Sequence, residues 1–219
     1  MTDSKPYFDH VSATWDEMRA SFFSEKLREK ALEAAGPGVG TLAADLGAGT
    51  GFMTEGLLKK GVRVIAVDQS QAMLDVLARR LSGFHDLECR LGDAGRLPIE
   101  DGLVDSVFAN MYLHHVEDPA EAIKEMARIL KPGGILVITD LDEHDFEFLR
   151  VEQHDRWLGF VREQVSAWLE EAGLKDASVT CASENCCSDS KDSDQSAQIS
   201  IFIARGRKGM SPCGPRRHR

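Results

Sequence analysis

The sequence predicts an α/β protein built on a doubly wound, mostly parallel sheet, and three observations carry that expectation. Apolar, strand-like runs recur at residues 42–44, 62–67, 87–91, 104–109 and 135–139, with helical patterns between most of them. That alternation is expected of parallel strands joined by crossover helices. The first run passes directly into Asp45-Leu46-Gly47-Ala48-Gly49-Thr50-Gly51 and then into a helix-like segment at 52–60, so a strand, a glycine turn and a helix follow one another. Acidic residues, Asp45, Asp68 and Asp93, stand at or just past the ends of the first three runs.

Taken in chain order, residues 7–18 set Phe8, Val11, Trp15 and Met18 at helical spacings, which suggests a capping segment. Residues 21–35 read as one helix. Beyond the glycine turn, 73–81 and 120–130 are amphipathic; the second is opened by Asp118-Pro119 and closed by Lys131-Pro132-Gly133-Gly134, a helix stop followed by a turn. A later helix runs through 166–172 and stops at Gly173. Residues 177–181 and 198–204 are strand candidates that can close the sheet as an antiparallel hairpin. The stretch between them, 183–197, is rich in Ser and Asp and nearly free of large apolar groups, so a mobile loop is expected there. After Ala204 hydrophobic periodicity is lost. We therefore expect a single domain over 1–209, with an N-terminal cap over 1–35, and a disordered basic tail over 210–219.

Bulk properties narrow the function classes. A chain of 219 residues, 42% hydrophobic, supports one α/β domain with a sizeable core. No apolar run approaches the roughly 20 residues that span a bilayer. The first ten residues lack the charged start and apolar centre of a signal peptide. Five cysteines, Cys89, Cys181, Cys186, Cys187 and Cys213, are odd in number and show no framework spacing, which fits free thiols and a cytoplasmic setting. The net charge is −10, yet the last fifteen residues carry six cations and no acid, which leaves the rest at 20 cations against 36 acids. So acidic a body disfavours a nucleic-acid substrate and favours a small molecule; neither a membrane partner nor an oligomeric state is indicated.

The glycine turn is the best candidate binding element. Alternate glycines let the backbone turn and let a ligand approach, and the following helix N-terminus offers free N–H donors. A dinucleotide fingerprint requires a sixth-position glycine, where this chain has Phe52. Asp68 lies 23 residues beyond Asp45, close to the offset of about 20 at which an acid meets ribose hydroxyls; its alternative role is to cap the helix beginning near Ser70. Asp93 with the N–H of Ala94 can recognise an adenine, accepting one hydrogen bond and donating another.

Glycines at alternate positions behind an acid, followed in order by Asp68 and Gly92-Asp93-Ala94, resemble the motifs of class I S-adenosylmethionine-dependent methyltransferases. So do the stretch from Asp105 to Pro119 and Leu130-Lys131-Pro132-Gly133-Gly134. The resemblance runs from about residue 7 to 204. It implies a Rossmann-like, seven-stranded sheet with a reversed last strand and S-adenosyl-L-methionine as cofactor. It also implies that Asp45, Gly47, Ala48, Gly49 and Gly51 face the methionine moiety, Asp68 and Gln69 the ribose, and Asp93 with Ala94 the adenine. Asn110 and Met111 should border the transferable methyl. A sulfonium favours aromatic faces, so Tyr7, Phe8 and Trp15 are candidate lid residues, with core packing as their other role.

For the methyl acceptor the sequence leaves alternatives open. Tyr7-Phe8-Asp9-His10 with Trp15-Asp16 is similar to the opening of quinone C-methyltransferases, which implies a quinol or another small organic acceptor. The stretches 139–150 and 154–160 resemble methyltransferase domains fused to arsenic-responsive repressors. With Cys181, Cys186 and Cys187 they point to a trivalent metalloid, arsenite, or a thiol, because soft ions prefer thiolates. The catalytic candidates are His114, His115, His144, Cys186 and Cys187. His144, Asp145, Glu147 and His154 form either a metal or acid–base cluster or, the preferred reading, a solvated charged segment, so no metal site is expected. A reading from another class is a non-catalytic S-adenosylmethionine sensor or scaffold, since a fold does not guarantee a chemistry.

Overall fold

The computed structural model describes residues 4–190 and 192–210. A seven-stranded sheet forms its centre: β1 (Leu42–Leu46), β2 (Arg63–Asp68), β3 (Leu87–Leu91), β4 (Val104–Asn110), β5 (Leu130–Leu141), β6 (Leu174–Asp189) and β7 (Ser196–Lys208). The strand order is β3-β2-β1-β4-β5-β7-β6. The first five strands pair in parallel, with Asp45 opposite Ala66 and Phe108. The last strand in the chain, β7, inserts between β5 and β6 and runs antiparallel to β5, Ile138 against Ala204, so this is the reversed strand. The order turns between β1 and β4, and ligands of such sheets bind outside the strand ends at that switch.

Among the described residues, eight α-helices surround the sheet: α1 (Lys5–Val11), α2 (Trp15–Phe22), α3 (Glu25–Ala35), α4 (Phe52–Lys59), α5 (Gln71–Arg80), α6 (Pro119–Ile129), α7 (Phe148–Glu152) and α8 (Arg162–Glu171). Among the described residues no helix is long and apolar enough to cross a membrane. The central strands are buried on both faces, the condition that parallel strands require. One cluster, with Leu46, Val107, Ile123, Met126 and Ile138, lies under α6 and α8; another, with Leu32, Leu57, Val64 and Leu77, lies under α3 to α5. A third gathers Phe23, Phe52, Leu149, Cys186 and Ile199 beneath the N-terminal helices.

Three expectations need correction. Residues 21–35 are not one helix, because Phe23 is extended (φ −154°, ψ 152°) and Ser24 follows in the same region; the break lets Phe23 turn inward against Phe52, with ring centroids 5.2 Å apart. Residues 183–197 are not a mobile loop, because β6 and β7 run through most of them and pair Cys186 with Ile199 and Ser188 with Ala197. The inward positions of this ribbon, Ala182, Cys186, Ser188, Ala197 and Ile199, alternate with exposed polar residues. That is a half-buried strand pattern written in small residues. Residues 205–208, expected to begin an irregular tail, continue β7 against β5. Met210 is exposed, and the remainder of the tail, with Cys213, lies outside the described residues.

Candidate active site

The carboxyl ends of β1, β2 and β4 open into a cavity of about 770 Å³. Its floor is the turn after β1, where Gly47, Gly49 and Gly51 all have positive φ, at 64°, 52° and 94°. At Gly47 that freedom is required twice over, since an added Cβ would also overlap the ring of Tyr112. The turn is held by the N–H of Ala48 on the carbonyl of Val67 (3.1 Å) and that of Gly51 on Ala48 (2.8 Å). Gly51 then serves as the N-cap of α4, packed on Leu77 and set back from the cavity lining.

Three acids stand on this wall. Asp45 is buried and accepts from the Thr54 hydroxyl; burial pushes its carboxyl up to about 7, although that hydrogen bond acts in the opposite direction. Asp68 accepts from the N–H of Gly49 through one oxygen (2.8 Å) and of Ser70 through the other (2.9 Å), and burial raises its pKa despite those donors. Its carboxylate therefore ties the glycine turn to the start of α5, while the capping itself is done by Ser70, whose hydroxyl accepts from Met73. Asp93 accepts from the N–H of Gly95 (2.8 Å) in a tight turn, with Ala94 beside it in the lining.

The N-terminal cap covers the opening. Gln69 donates to the Ser4 hydroxyl (3.2 Å), and the Ser70 hydroxyl donates to Asp9 (2.6 Å), joining α1 to the strand ends. From α2, Trp15 faces Gly49, and Thr50 donates to Asp16 (2.7 Å). Arg19 enters the cavity with its guanidinium over the Phe52 ring, 4.2 Å from the centroid; its Nε is buried with no hydrogen-bond partner, and burial lowers its pKa. Tyr7, expected beside the cofactor, lies outside this lining. It donates instead to Gln153 (2.9 Å) and lies against the His154 ring, while its neighbour Phe8 takes the cavity position.

Beyond Asn110, which accepts from the Thr139 hydroxyl (2.7 Å), Met111 adopts a left-handed φ of 51° and turns the chain into a short 3₁₀ turn, Leu113–His115. A second, inner cavity of about 50 Å³ opens there, sharing Phe8, Trp15, Phe23, Met111 and His115 with the first. His114 is buried, with Nδ1 2.7 Å from Asp140 and Nε2 3.7 Å from Asp155. Burial alone would lower its pKa, but the two carboxylates prevail and raise it to about 9. Burial keeps Asp155 protonated up to about 6, even with His114 opposing. His115 is held well below the ordinary histidine range by burial and by the His114 charge, and is a neutral imidazole at pH 7.

The remaining candidates separate. Cys186 reaches the inner cavity, and burial pushes its thiol up to about 12. Cys187 is exposed, since neighbours in a strand point to opposite faces. His144 packs on Phe146 and accepts from its N–H, away from both cavities, with burial lowering its pKa to about 4. His144, Asp145, Glu147 and His154 form no cluster; among the described residues the one group with metal-ligand spacing is His114, His115 and Asp155. Sequence reasoning missed Arg19, Tyr112, Asp140 and Asp155. Tyr112 follows Asn110 and Met111 directly and was open to extrapolation; Asp155 arrives from a remote loop and was not.

The comparisons agree with this geometry. Residues 44–138, from the middle of β1 into β5, match the family profile described as a methyltransferase domain. The demethylmenaquinone methyltransferase of Clavibacter sepedonicus is 37% identical over 61% of this chain, which spans 56% of that protein. The demethylmenaquinone methyltransferase of Thermobifida fusca is 33% identical, with 78% of this chain and 82% of that protein covered. Haemonchus contortus phosphoethanolamine N-methyltransferase 2, solved with S-adenosylhomocysteine, superposes with a TM-score of 0.70 at 19% identity, over 84% of this chain and 52% of that one, a likeness of fold. Fold, strand-end acids and these relatives together show that the chain belongs to the class I S-adenosylmethionine-dependent methyltransferases.

Proposed function

We propose that this chain transfers a methyl group from S-adenosylmethionine to a small aromatic acceptor of the quinol type. The observation that carries the reading is that the 770 Å³ cavity is bordered both by the strand-end acids and by Phe8, Trp15, Phe23 and a neutral His115, which leaves room for an aromatic ring beside the cofactor. The donor set fits the cofactor. Asp45 and Arg19, whose Nε makes no hydrogen bond and lies 3.7 Å from Asp16, suit the ammonium and carboxylate of its amino-acid end, Asp68 with Gln69 the ribose, and Asp93 with Ala94 the adenine. Trp15 and Met111 line both cavities, and Asn110 lines the larger one.

The cofactor supplies an electrophilic methyl group on a sulfonium. The chain's own part is alignment and exclusion of water, and alignment alone is worth on the order of 7 to 11 kcal/mol of barrier. Aromatic walls hold a flat ring, and the His115 imidazole accepts a hydrogen bond from a ring hydroxyl. The demethylmenaquinone methyltransferases among the relatives support this acceptor class. Joint capture of arsenite by Cys186 and Cys187 loses its basis, because one thiol is buried and protonated while the other faces outward.

Methyl-labelled cofactor tested against reduced quinols, arsenite and thiols decides the matter. Label in the quinol is expected. Label in arsenite or thiols alone overturns the acceptor class, and cofactor binding without transfer to any of them favours the sensor.

A further inference from the structure

We propose that His114, His115 and Asp155 form a binding site for a divalent transition-metal ion of the zinc type in the wall of the inner cavity. One ring nitrogen from each histidine and one Asp155 oxygen all lie within 4.8 Å of one another. All three residues line the same cavity, so the group is open to an ion. Two imidazoles with one carboxylate are a recurrent donor set for catalytic zinc and other divalent metals, and three protein ligands leave a position open.

The surroundings of the two rings strengthen the case. Metal-bound histidines almost always donate their second ring N–H to a carboxylate or backbone carbonyl. Here Nδ1 of His114 is 2.7 Å from the Asp140 carboxylate, and Nδ1 of His115 is 3.4 Å from the His154 carbonyl. Both acceptors can only accept, so each Nδ1 carries a proton, and an ion bound at the two Nε2 positions would release the second proton of His114. The third donor is also held in place. The N–H groups of Arg156 and Trp157 donate to the carbonyl of His114 (3.1 and 3.0 Å), and the Trp157 indole donates to Val116 (2.9 Å). His154 bends the chain with a left-handed φ of 60° immediately before Asp155. The segment is thus fastened to the 3₁₀ turn on both sides of the cluster.

This inference goes beyond the methyl-transfer reading and requires neither cofactor nor acceptor. With the ion bound, its open position would meet the acceptor oxygen in place of the hydrogen bond to His115. The rival account is a purely structural chain, Asp140 to His114 to Asp155, that needs no metal.

The test uses the full chain after chelator treatment, titrated with Zn²⁺ by calorimetry and with Co²⁺ by visible absorption. One equivalent of each should bind, with Co²⁺ showing the intense bands of a low-coordinate site. Asp155→Asn and His115→Gln should each weaken Zn²⁺ binding by about tenfold or more, while His144→Gln should bind as the parent does. Nitrogen NMR of the unaltered protein removes any dependence on how the variants fold, since Zn²⁺ should shift Nε2 of both His114 and His115. Absence of stoichiometric binding, unchanged affinity in both folded variants, or unmoved Nε2 signals would each overturn the site.

Discussion

The two ends of the joined cavity are built in different ways. The glycine-turn end is assembled from short stretches at the carboxyl ends of neighbouring strands: Asp45 and 47–50 at the end of β1, 68–69 at the end of β2, 93–95 after β3 and 110–112 at the end of β4. The inner end draws Phe8 and Phe22 from the cap, His114 and His115 from the 3₁₀ turn, Gln153 and Asp155 from the loop after α7, and Cys186 from β6. The first end is framed by the sheet alone, with Trp15 and Arg19 of α2 laid over it. The second needs five separate segments to pack, so its composition can change without altering the sheet, and that is where acceptor choice can vary among proteins sharing a cofactor.

The comparison breaks most readily at Gly47. Alanine there must hold φ 64° and also displace Tyr112. The backbone strain alone costs about 1 to 3 kcal/mol, which for a chain of this size lowers the melting temperature by about 2 to 12 °C. Calorimetry of Gly47→Ala should show that loss together with loss of cofactor binding; a parent-like melting curve would mean that the turn is not under constraint.

Asp68→Ala comes next. If the carboxylate meets ribose hydroxyls, cofactor binding should weaken by about 1 to 3 kcal/mol, or roughly tenfold to a hundredfold. The melting temperature should fall as well, because the N–H groups of Gly49 and Ser70 lose their acceptor. Unchanged affinity with reduced stability would restrict Asp68 to bracing the turn.

A smaller effect separates the buried acid of this end from its surroundings. The folded-state pKa of Asp45, about 7, lies above its unfolded value of 3.8. The folded state therefore holds the proton more tightly, and the contribution to stability present below pH 3.8 is lost as pH rises towards 7. The slope from this group is at most about 1.4 kcal/mol per pH unit. Denaturant melts of the cofactor-free protein between pH 4 and 7 should lose that slope in Asp45→Asn, and parallel curves for the two proteins would place the titration elsewhere.

This difference in construction also explains what the sequence made legible. Asp45, Gly47, Gly49, Asp68, Asp93 and Asn110 could be located because each sits at a fixed offset from an apolar run, so a local pattern fixes its place at the sheet edge. Asp155 and Arg19 obey no such offset, and only tertiary packing brings them to the cavity. The β6–β7 ribbon was misjudged for a related physical reason. Its inward positions are Ala182, Cys186, Ser188 and Ala197, too small and polar to register as hydrophobic, although the period of two is present. Tyr7 failed differently: of the three aromatics named for the lid, Phe8 and Trp15 line the cavity, and the helix carrying Phe8 turns its neighbour Tyr7 away.

The smallest expected effect concerns the two adjacent cysteines, and it sharpens the contrast between the ends. Strand geometry sends Cys186 inward and Cys187 outward, so single substitutions should be unequal where a joint ligand pair would make them alike. Cys187→Ser removes an exposed thiol and should leave melting temperature, cofactor affinity and turnover at parental values, since surface changes away from special features usually stay within about 0.5 kcal/mol. Cys186→Ser keeps the volume nearly constant but places a hydroxyl beside Leu149 and Ile199 in the third core cluster. A cost of about 1 kcal/mol is expected from that buried hydroxyl. Because Cys186 lines the inner cavity and not the outer one, KM for the acceptor should move while cofactor affinity stays fixed. Equal losses in the two single variants, or a shift in cofactor affinity with Cys186→Ser, would show that the ends of the cavity are not separable in this way.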